Sequence, residues 1–226
     1  MQITEIYKSI QGESTHAGLP CVFVRLTGCN LRCAWCDSEY TFSGGHRMTP
    51  EEVIEEVEHL SPGGLVEITG GEPMLQEREL VPVMQRLLDD GYTVLLETSG
   101  ERPLARVPKG VVKIVDVKCP NSGEGDSFDM ENLEALDSGD EVKFVLSDRA
   151  DYEFARDFVA RHGLAHKVNA VLFSPAFSKE AGGARDTSHC LLDPRELAEW
   201  MLADHVPARL SLQMHKFIWD PAMKGV

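Results

Sequence analysis

Cys29, Cys33 and Cys36 stand in a C-x3-C-x2-C spacing within the short stretch 28–37. Thiolates are the usual ligands of iron–sulfur clusters, and three on one tight loop can hold three irons of a four-iron cluster. A fourth local cysteine is missing, so one iron stays open to a ligand from outside the protein. An open position on a metal is where chemistry can happen. A structural zinc site competes with this reading. Zinc wants four closed ligands, and His46, Cys119 or His189 could supply the fourth. A disulfide framework fails because three is odd. The other cysteines, Cys21, Cys119 and Cys190, read as small buried hydrophobes.

Those residues need elements to hold them. Strand signals fall at 22–26, 65–69, 93–97, 111–117, 141–146, 168–173 and 209–213. A helix starts at Pro50, with Thr49 as its cap and Glu52 completing a capping box. A second ends near Asp90, with Gly91 as the stop. Two more are expected at 149–162 and 194–204. This alternation argues for an α/β fold with a parallel sheet. The cysteine loop, a Gly-Gly-Glu-Pro turn at 70–73 and Glu97 then all lie at carboxyl ends of strands, where such folds place their active sites. There is room for six or seven strands but not for a complete eight-unit barrel, so a partial β/α barrel open on one side, of about six parallel strands, is expected. The segments 120–127 and 180–186 read as mobile loops that cover the ligand.

The composition sets limits. At 226 residues and 42% apolar content the chain fits one domain with a sizeable core, read as 1–226 with a short tail at 217–226. The formal net charge of −15 argues against a large nucleic-acid face. No run approaches the ~20 apolar residues of a membrane span, and no signal segment opens the chain. A cytoplasmic location, where thiols stay reduced, suits an oxygen-sensitive cluster.

The cysteine spacing with Trp35 next to Cys36, followed by Thr69-Gly70-Gly71-Glu72-Pro73 after the next strand, resembles the radical S-adenosylmethionine (SAM) superfamily. The resemblance implies that SAM chelates the open iron of a [4Fe-4S] cluster and is cleaved to a 5′-deoxyadenosyl radical. Three further segments narrow it: Ser9-Ile10-Gln11-Gly12-Glu13, Cys36-Asp37-Ser38 and Leu212-Gln213-Met214-His215-Lys216. Together they resemble the 7-carboxy-7-deazaguanine synthase family of deazapurine and queuosine biosynthesis. That resemblance implies a magnesium-dependent carbon–nitrogen lyase. It would turn 6-carboxy-5,6,7,8-tetrahydropterin into 7-carboxy-7-deazaguanine with loss of ammonia, in a pathway leading to tRNA modification. It also implies a homodimer and an electron donor such as flavodoxin or ferredoxin.

The family's roles carry over residue by residue. Cys29, Cys33 and Cys36 are expected to hold the cluster. Trp35, Cys36, Asp37, Gly71, Lys118 and Ser174 are expected at SAM; a plain core aromatic is the competing reading of Trp35. Ile10, Gln11 and Gly12 are expected at the pterin, through their backbone, with Arg25 on its carboxylate, Thr69 facing it and Glu97 accepting from the aminopyrimidinone. The bland alternatives are an internal pair of Arg25 with Glu13 or Glu97, and a buried ion pair for Glu97. Ser38, where the family usually has threonine, keeps the hydroxyl that binds magnesium. No catalytic side chain is expected beyond the cofactors' own chemistry. His215 and Lys216 match the motif, with a structural role closing the barrel as the alternative. Residues 217–226 depart from the family's usual short ending, and Pro221 is expected near the pocket. A glycyl-radical activating enzyme, another small-molecule radical SAM enzyme and a non-enzymatic zinc module are the competing functions.

Overall fold

The computed structural model describes residues 1–179, 185–220 and 223–225. Its strands are β1 (Gln2–Ile10), β2 (Pro20–Leu26), β3 (His46–Arg47), β4 (Leu65–Gly70), β5 (Thr93–Thr98), β6 (Val112–Asp116), β7 (Glu141–Leu146), β8 (Ala170–Pro175) and β9 (Arg209–Leu210). Its helices are α1 (Pro50–Leu60), α2 (Glu77–Asp89), α3 (Asn132–Ala135), α4 (Arg149–His162), α5 (Leu164–Lys167), α6 (Pro194–Ala203) and α7 (His215–Ile218). The strands form one sheet in the order β3-β1-β2-β4-β5-β6-β7-β8-β9, with β3 and β9 as its two edges. The sheet is therefore open. Neighbours from β2 onward run parallel, whereas β1 runs antiparallel to β2 and β3.

Most expected elements are present within a residue or two of their predicted bounds. The sequence did not announce β1 and β3, and the strand expected over 209–213 shrinks to two residues. β3 has only two residues, and β1, though nine long, is mostly half-buried along its length and carries little apolar signal; what defines both is pairing. Helix α1 begins as expected: the Thr49 side chain accepts from Glu52 N–H, and Glu52 accepts from Thr49 N–H.

Side chains along a strand alternate between faces, and the two faces here differ. One packs on the helices: Val24, Ile68, Leu96, Val115, Phe144 and Phe173 meet Val57, Leu80, Met84, Tyr152 and Leu197 in a single core. The other face turns inward over the pocket. Its floor is a smaller apolar layer of Cys21, Phe23, Leu65, Leu95 and Ile114. Above that floor the same strands carry Arg25, Glu67, Thr69, Glu97, Asp116 and Lys143, all of which line the pocket. Cys119 is fully buried in the main core, and Cys190 only half-buried.

Candidate active site

The pocket, about 460 Å³, is lined by the cysteine loop, the glycine turn after β4, the inward face of the sheet and the C-terminal segment. Cys29, Cys33 and Cys36 all face it. Burial raises all three thiols, Cys33 to about 11. Burial thus opposes free thiolates there, and a metal would ionise them, giving the donor set a cluster takes. Among the described residues no three His, Cys, Asp or Glu side chains converge closely enough to hold one metal ion. In a cluster each thiolate ligates a different iron, so the three thiols need not converge on one point. Nor do His46, Cys119 or His189 line the pocket.

The loop holding these thiols is pinned on three sides. Gly28 N–H bonds Thr41 O at 2.7 Å, and Gly28 O accepts from Glu72 N–H at 2.9 Å. Ala34 N–H bonds Ser122 O at 2.8 Å, and Arg32 N–H bonds the Glu124 carboxylate at 2.6 Å. The 120–127 segment therefore braces the cysteine loop from outside; none of it lines the pocket. That corrects its reading as a cover over the ligand. Of the second expected cover, 180–184 lies outside the described residues, whereas the preceding Ser178 and Lys179 are in the wall.

The Gly-Gly-Glu-Pro turn sets the distance between glycine and cluster loop. A Cβ at Gly71 would lie 2.4 Å from Gly28 O and 2.6 Å from Cys29 Cβ. Glu72, 1% exposed, accepts from Met74 N–H, Thr98 Oγ1, Ser99 N–H and Ser99 Oγ, tying β4's turn to the end of β5.

Among the residues expected at SAM, Trp35, Cys36, Asp37, Gly71 and Lys118 line the pocket. Trp35 is half-buried and outside both apolar clusters, so the core-aromatic alternative falls. Ser174 does not line it: the residue is 1% exposed, its Oγ has no partner, and its register neighbour Val145 takes the wall position. Ser38 Oγ donates to Asp37 at 2.9 Å, which places two oxygens together beside the pocket.

Ile10, Gln11, Gly12, Arg25, Thr69 and Glu97 all line the pocket. The expected backbone contacts at 10–12 are largely taken. Gln11 N–H bonds Leu19 O, Gln11 O accepts from Gly18 N–H, and Gly12 O accepts from Met214 N–H, each at 2.8 Å. What Gln11 offers inward is its side chain, which donates to Glu67. Arg25 pairs with neither Glu13 nor Glu97; Nε meets Glu5 at 3.0 Å and Nη2 meets Tyr7 OH at 2.8 Å. Glu97 is ion-paired with Lys143 and keeps a quarter of its side chain open to the pocket.

Sequence reasoning passed over Glu67 and Lys143. Lys143, 3% exposed, meets Glu97, Glu13 at 2.8 Å and Asp116 at 3.9 Å. Burial would lower its pKa, but Glu13, Glu97 and Asp116 outweigh that and keep it charged. Glu13 feels the converse: burial would raise it, and Lys143 with His215 pulls it down to about 2. Buried parallel strands read as near-continuous apolar runs. A charge inside one is therefore a signal, and the rule that singled out Glu97 applies equally to Glu67 and Lys143.

The C-terminal segment closes the open side. Gln213 donates to Glu13 at 2.9 Å, the His215 ring packs on Gly12, and Lys216 Nζ meets Asp37 at 2.7 Å. These contacts bind the loop after β1 to the cysteine loop, in line with a structural role. Asp220, Met223, Lys224 and Gly225 of the tail also line the pocket; Pro221 lies outside the described residues.

An open parallel sheet with three thiols at the end of β2 and a glycine turn at the end of β4 is the architecture of a radical SAM protein, and residues 23–116 match the model of the Radical SAM superfamily. The chain is 69% identical to a 7-carboxy-7-deazaguanine synthase of Koribacter versatilis over all of both chains. It is 41% identical to one of Chlorobaculum tepidum, covering 100% of this chain and 97% of that protein. The solved structure of QueE from Escherichia coli superposes with a TM-score of 0.73 at 24% identity, covering 95% and 94% of the two chains, which shows the shared fold. The chain belongs to the 7-carboxy-7-deazaguanine synthase family. No helix among the described residues is long and apolar enough to cross a membrane.

Proposed function

We propose that this protein converts 6-carboxy-5,6,7,8-tetrahydropterin to 7-carboxy-7-deazaguanine with loss of ammonia, as a magnesium-dependent radical SAM lyase. The observation that carries this reading is the 69% identity, without a gap in coverage, to a relative of that name. The pocket supports it by its polarity. Arg25, Tyr40 and Lys224 form one linked group, balanced by Glu5, and Glu13, Glu67 and Glu97 gather with Lys143 in a second. A pterin with a carboxylate at one end and N–H donors on its pyrimidine at the other matches these two groups.

When bound, the cluster and SAM supply one-electron reduction and hydrogen-atom abstraction. The chain's own residues bind, orient and exclude. Cys29, Cys33 and Cys36 hold the cluster; Trp35, Asp37, Gly71 and Lys118 form the wall for SAM. Lys216 Nζ, 2.7 Å from Asp37, holds that partly exposed carboxylate in its ionised form. Arg25 is charge-balanced by Glu5 and fixed by Tyr7, so it offers a rigid, prepaid guanidinium edge to the carboxylate. Glu97, held by Lys143, accepts from the pyrimidine, and Thr69 faces the ring. The apolar floor of Phe23, Leu65, Leu95 and Ile114 keeps water from below. Ser38 and Asp37 offer oxygens to a magnesium ion that takes its remaining ligands from water and substrate.

We further read the chain as one domain, as a cytoplasmic homodimer reduced by flavodoxin or ferredoxin, with its product feeding queuosine and tRNA modification. The test is anaerobic turnover of protein reconstituted with iron and sulfide, given dithionite, SAM, magnesium and the pterin. The expected result is 7-carboxy-7-deazaguanine by mass and absorbance, lost in Cys33→Ala. Release of 5′-deoxyadenosine without that product would keep the radical chemistry and remove the substrate.

A further inference from the structure

Glu67 is 3% exposed at the middle of β4, yet it lines the pocket. It accepts from the Gln11 side-chain amide, and Glu97 stands on the neighbouring strand β5, two residues beyond Leu95, the register partner of Glu67. Two neighbouring carboxyls, one of them buried, repel each other when both are ionised, and a hydrogen held between them removes that repulsion. The surrounding charges leave no cation to replace it. Lys143 is engaged by Glu97 and Glu13, and Lys118 by Asp116 at 2.7 Å. Glu13, Glu97 and Asp116 thus already outnumber the two ammoniums before Glu67 is counted. The other polar groups facing it are the Tyr7 hydroxyl from β1 and the Cys21 thiol from β2. His215, which faces Glu13 and Glu97 from α7, is held below its usual pKa by burial.

We propose that Glu67 is a positioning residue that stays a neutral carboxylic acid, donating its hydrogen to Glu97, and that Glu67, Glu97 and Gln11 together read the 2-amino-4-oxo pyrimidine edge of the substrate. This rests on the pterin reading above. The edge offers N–H donors and a carbonyl acceptor. Glu97 supplies the carboxylate for the donors, and the neutral acid behind it supplies both a fixed hydrogen and freedom from a second negative charge. Burial first, then Glu97 and Glu13, raises Glu67 well above the usual carboxylate range, with Lys143 opposing only in part. A side-chain amide reproduces this arrangement: glutamine at 67 donates N–H to Glu97 and accepts from Gln11 without a titratable group.

The experiment compares wild type, Glu67→Gln and Glu67→Leu as full chains with cluster and SAM. It measures kcat and KM for the pterin from about pH 6 to about pH 9, and binding of oxidised 6-carboxypterin by titration calorimetry. In wild type, binding weakens as pH rises, because ionising Glu67 sets two negative charges together. In Glu67→Gln, KM stays within about threefold of wild type and that alkaline weakening disappears. In Glu67→Leu, KM rises roughly tenfold to a hundredfold with kcat nearly kept, the cost of leaving a charged partner's hydrogen bond unmade. A Gln variant as weak as the Leu variant, or one that keeps the wild-type alkaline fall, overturns the proposal. A ligand-free readout separates it from the substrate reading. The infrared band of a protonated carboxyl should be present in wild type at neutral pH and absent in Glu67→Gln. If that band is missing in wild type, Glu67 is ionised and the proposal fails whatever the substrate. If the band is there but wild type neither binds nor converts a pterin, the substrate reading and the edge recognition built on it fall together, and only the neutral acid stands.

Discussion

Replacing Gly71 by alanine isolates one geometric demand, the approach of the glycine turn to the cluster loop. The backbone of Gly71 lies outside the left-handed region, so alanine meets no conformational penalty there. The whole effect is steric. The new methyl would stand 2.4 Å from Gly28 O and 2.6 Å from Cys29 Cβ. Non-bonded carbon contacts settle at about 3.5–4.0 Å, so the loop must retreat by roughly 1 Å. Retreat stretches the 2.9 Å bond from Glu72 N–H to Gly28 O and the 2.7 Å bond from Gly28 N–H to Thr41 O. Overpacking of this kind costs about 1–3 kcal/mol, or roughly 2–12 °C in Tm for a chain of this size. A ~1 Å displacement of a positioned reactive group costs on the order of a hundredfold in rate. The assay is iron and sulfide content with visible absorption after anaerobic reconstitution in the absence of SAM, followed by turnover. Omitting SAM in the first step separates damage to the cysteine loop from loss of a SAM contact. Substoichiometric cluster and turnover down about a hundredfold are expected. Gly139→Ala serves as the control, since its backbone is also outside the left-handed region and a Cβ there meets only the end of the exposed Asp137 side chain, at 3.3 Å. Full cluster content with turnover within about threefold of wild type would refute the reasoning.

Three other consequences can be checked. Glu72→Ala removes the acceptor of four hydrogen bonds and should cost about 3 kcal/mol in urea unfolding; a loss below about 1 kcal/mol would mean Thr98 and Ser99 find other partners. Lys143→Met strands Glu13 and Glu97 without their cation and should cost about 3–5 kcal/mol, partly recovered when Glu97→Gln is added; a double variant no more stable than the single would deny the pairing. Glu13 has its pKa lowered to about 2, so its contribution is complete above the usual carboxylate pKa and is lost as pH falls from there towards 2. With about 1.4 kcal/mol per unit, that amounts to roughly 3 kcal/mol. The stability gap between wild type and Glu13→Gln should therefore narrow from about pH 5 to about pH 3; an unchanged gap would contradict the assignment.

The cluster loop and the glycine turn were legible because their chemistry is local. Three thiols within eight residues and Thr69–Pro73 after an apolar run are patterns that need no knowledge of distant contacts. The helices read well for the same reason: caps such as Thr49 with Glu52, and a stripe such as Leu80, Met84 and Leu87, are written within a few residues. The strands β1 and β3 were not legible: β3 has only two residues, β1 is mostly half-buried along its length, and both are defined by what they pair with.

Within the pocket the sequence by itself determined which groups are available: three cysteines, an arginine at the end of one strand, carboxylates inside apolar runs. Only the tertiary structure decided how those groups are spent. Arg25 faces Glu5, twenty residues away in sequence but across the β1–β2 pairing, and not Glu13 or Glu97. Segment 120–127 lies behind the cysteine loop and not over the pocket. Lys143 meets a carboxylate 130 residues before it, and Lys216 meets Asp37. The physical reason is that a buried charge must find its counter-charge in space. Which partner it finds depends on strand order and register, to which no local pattern of residues is tied.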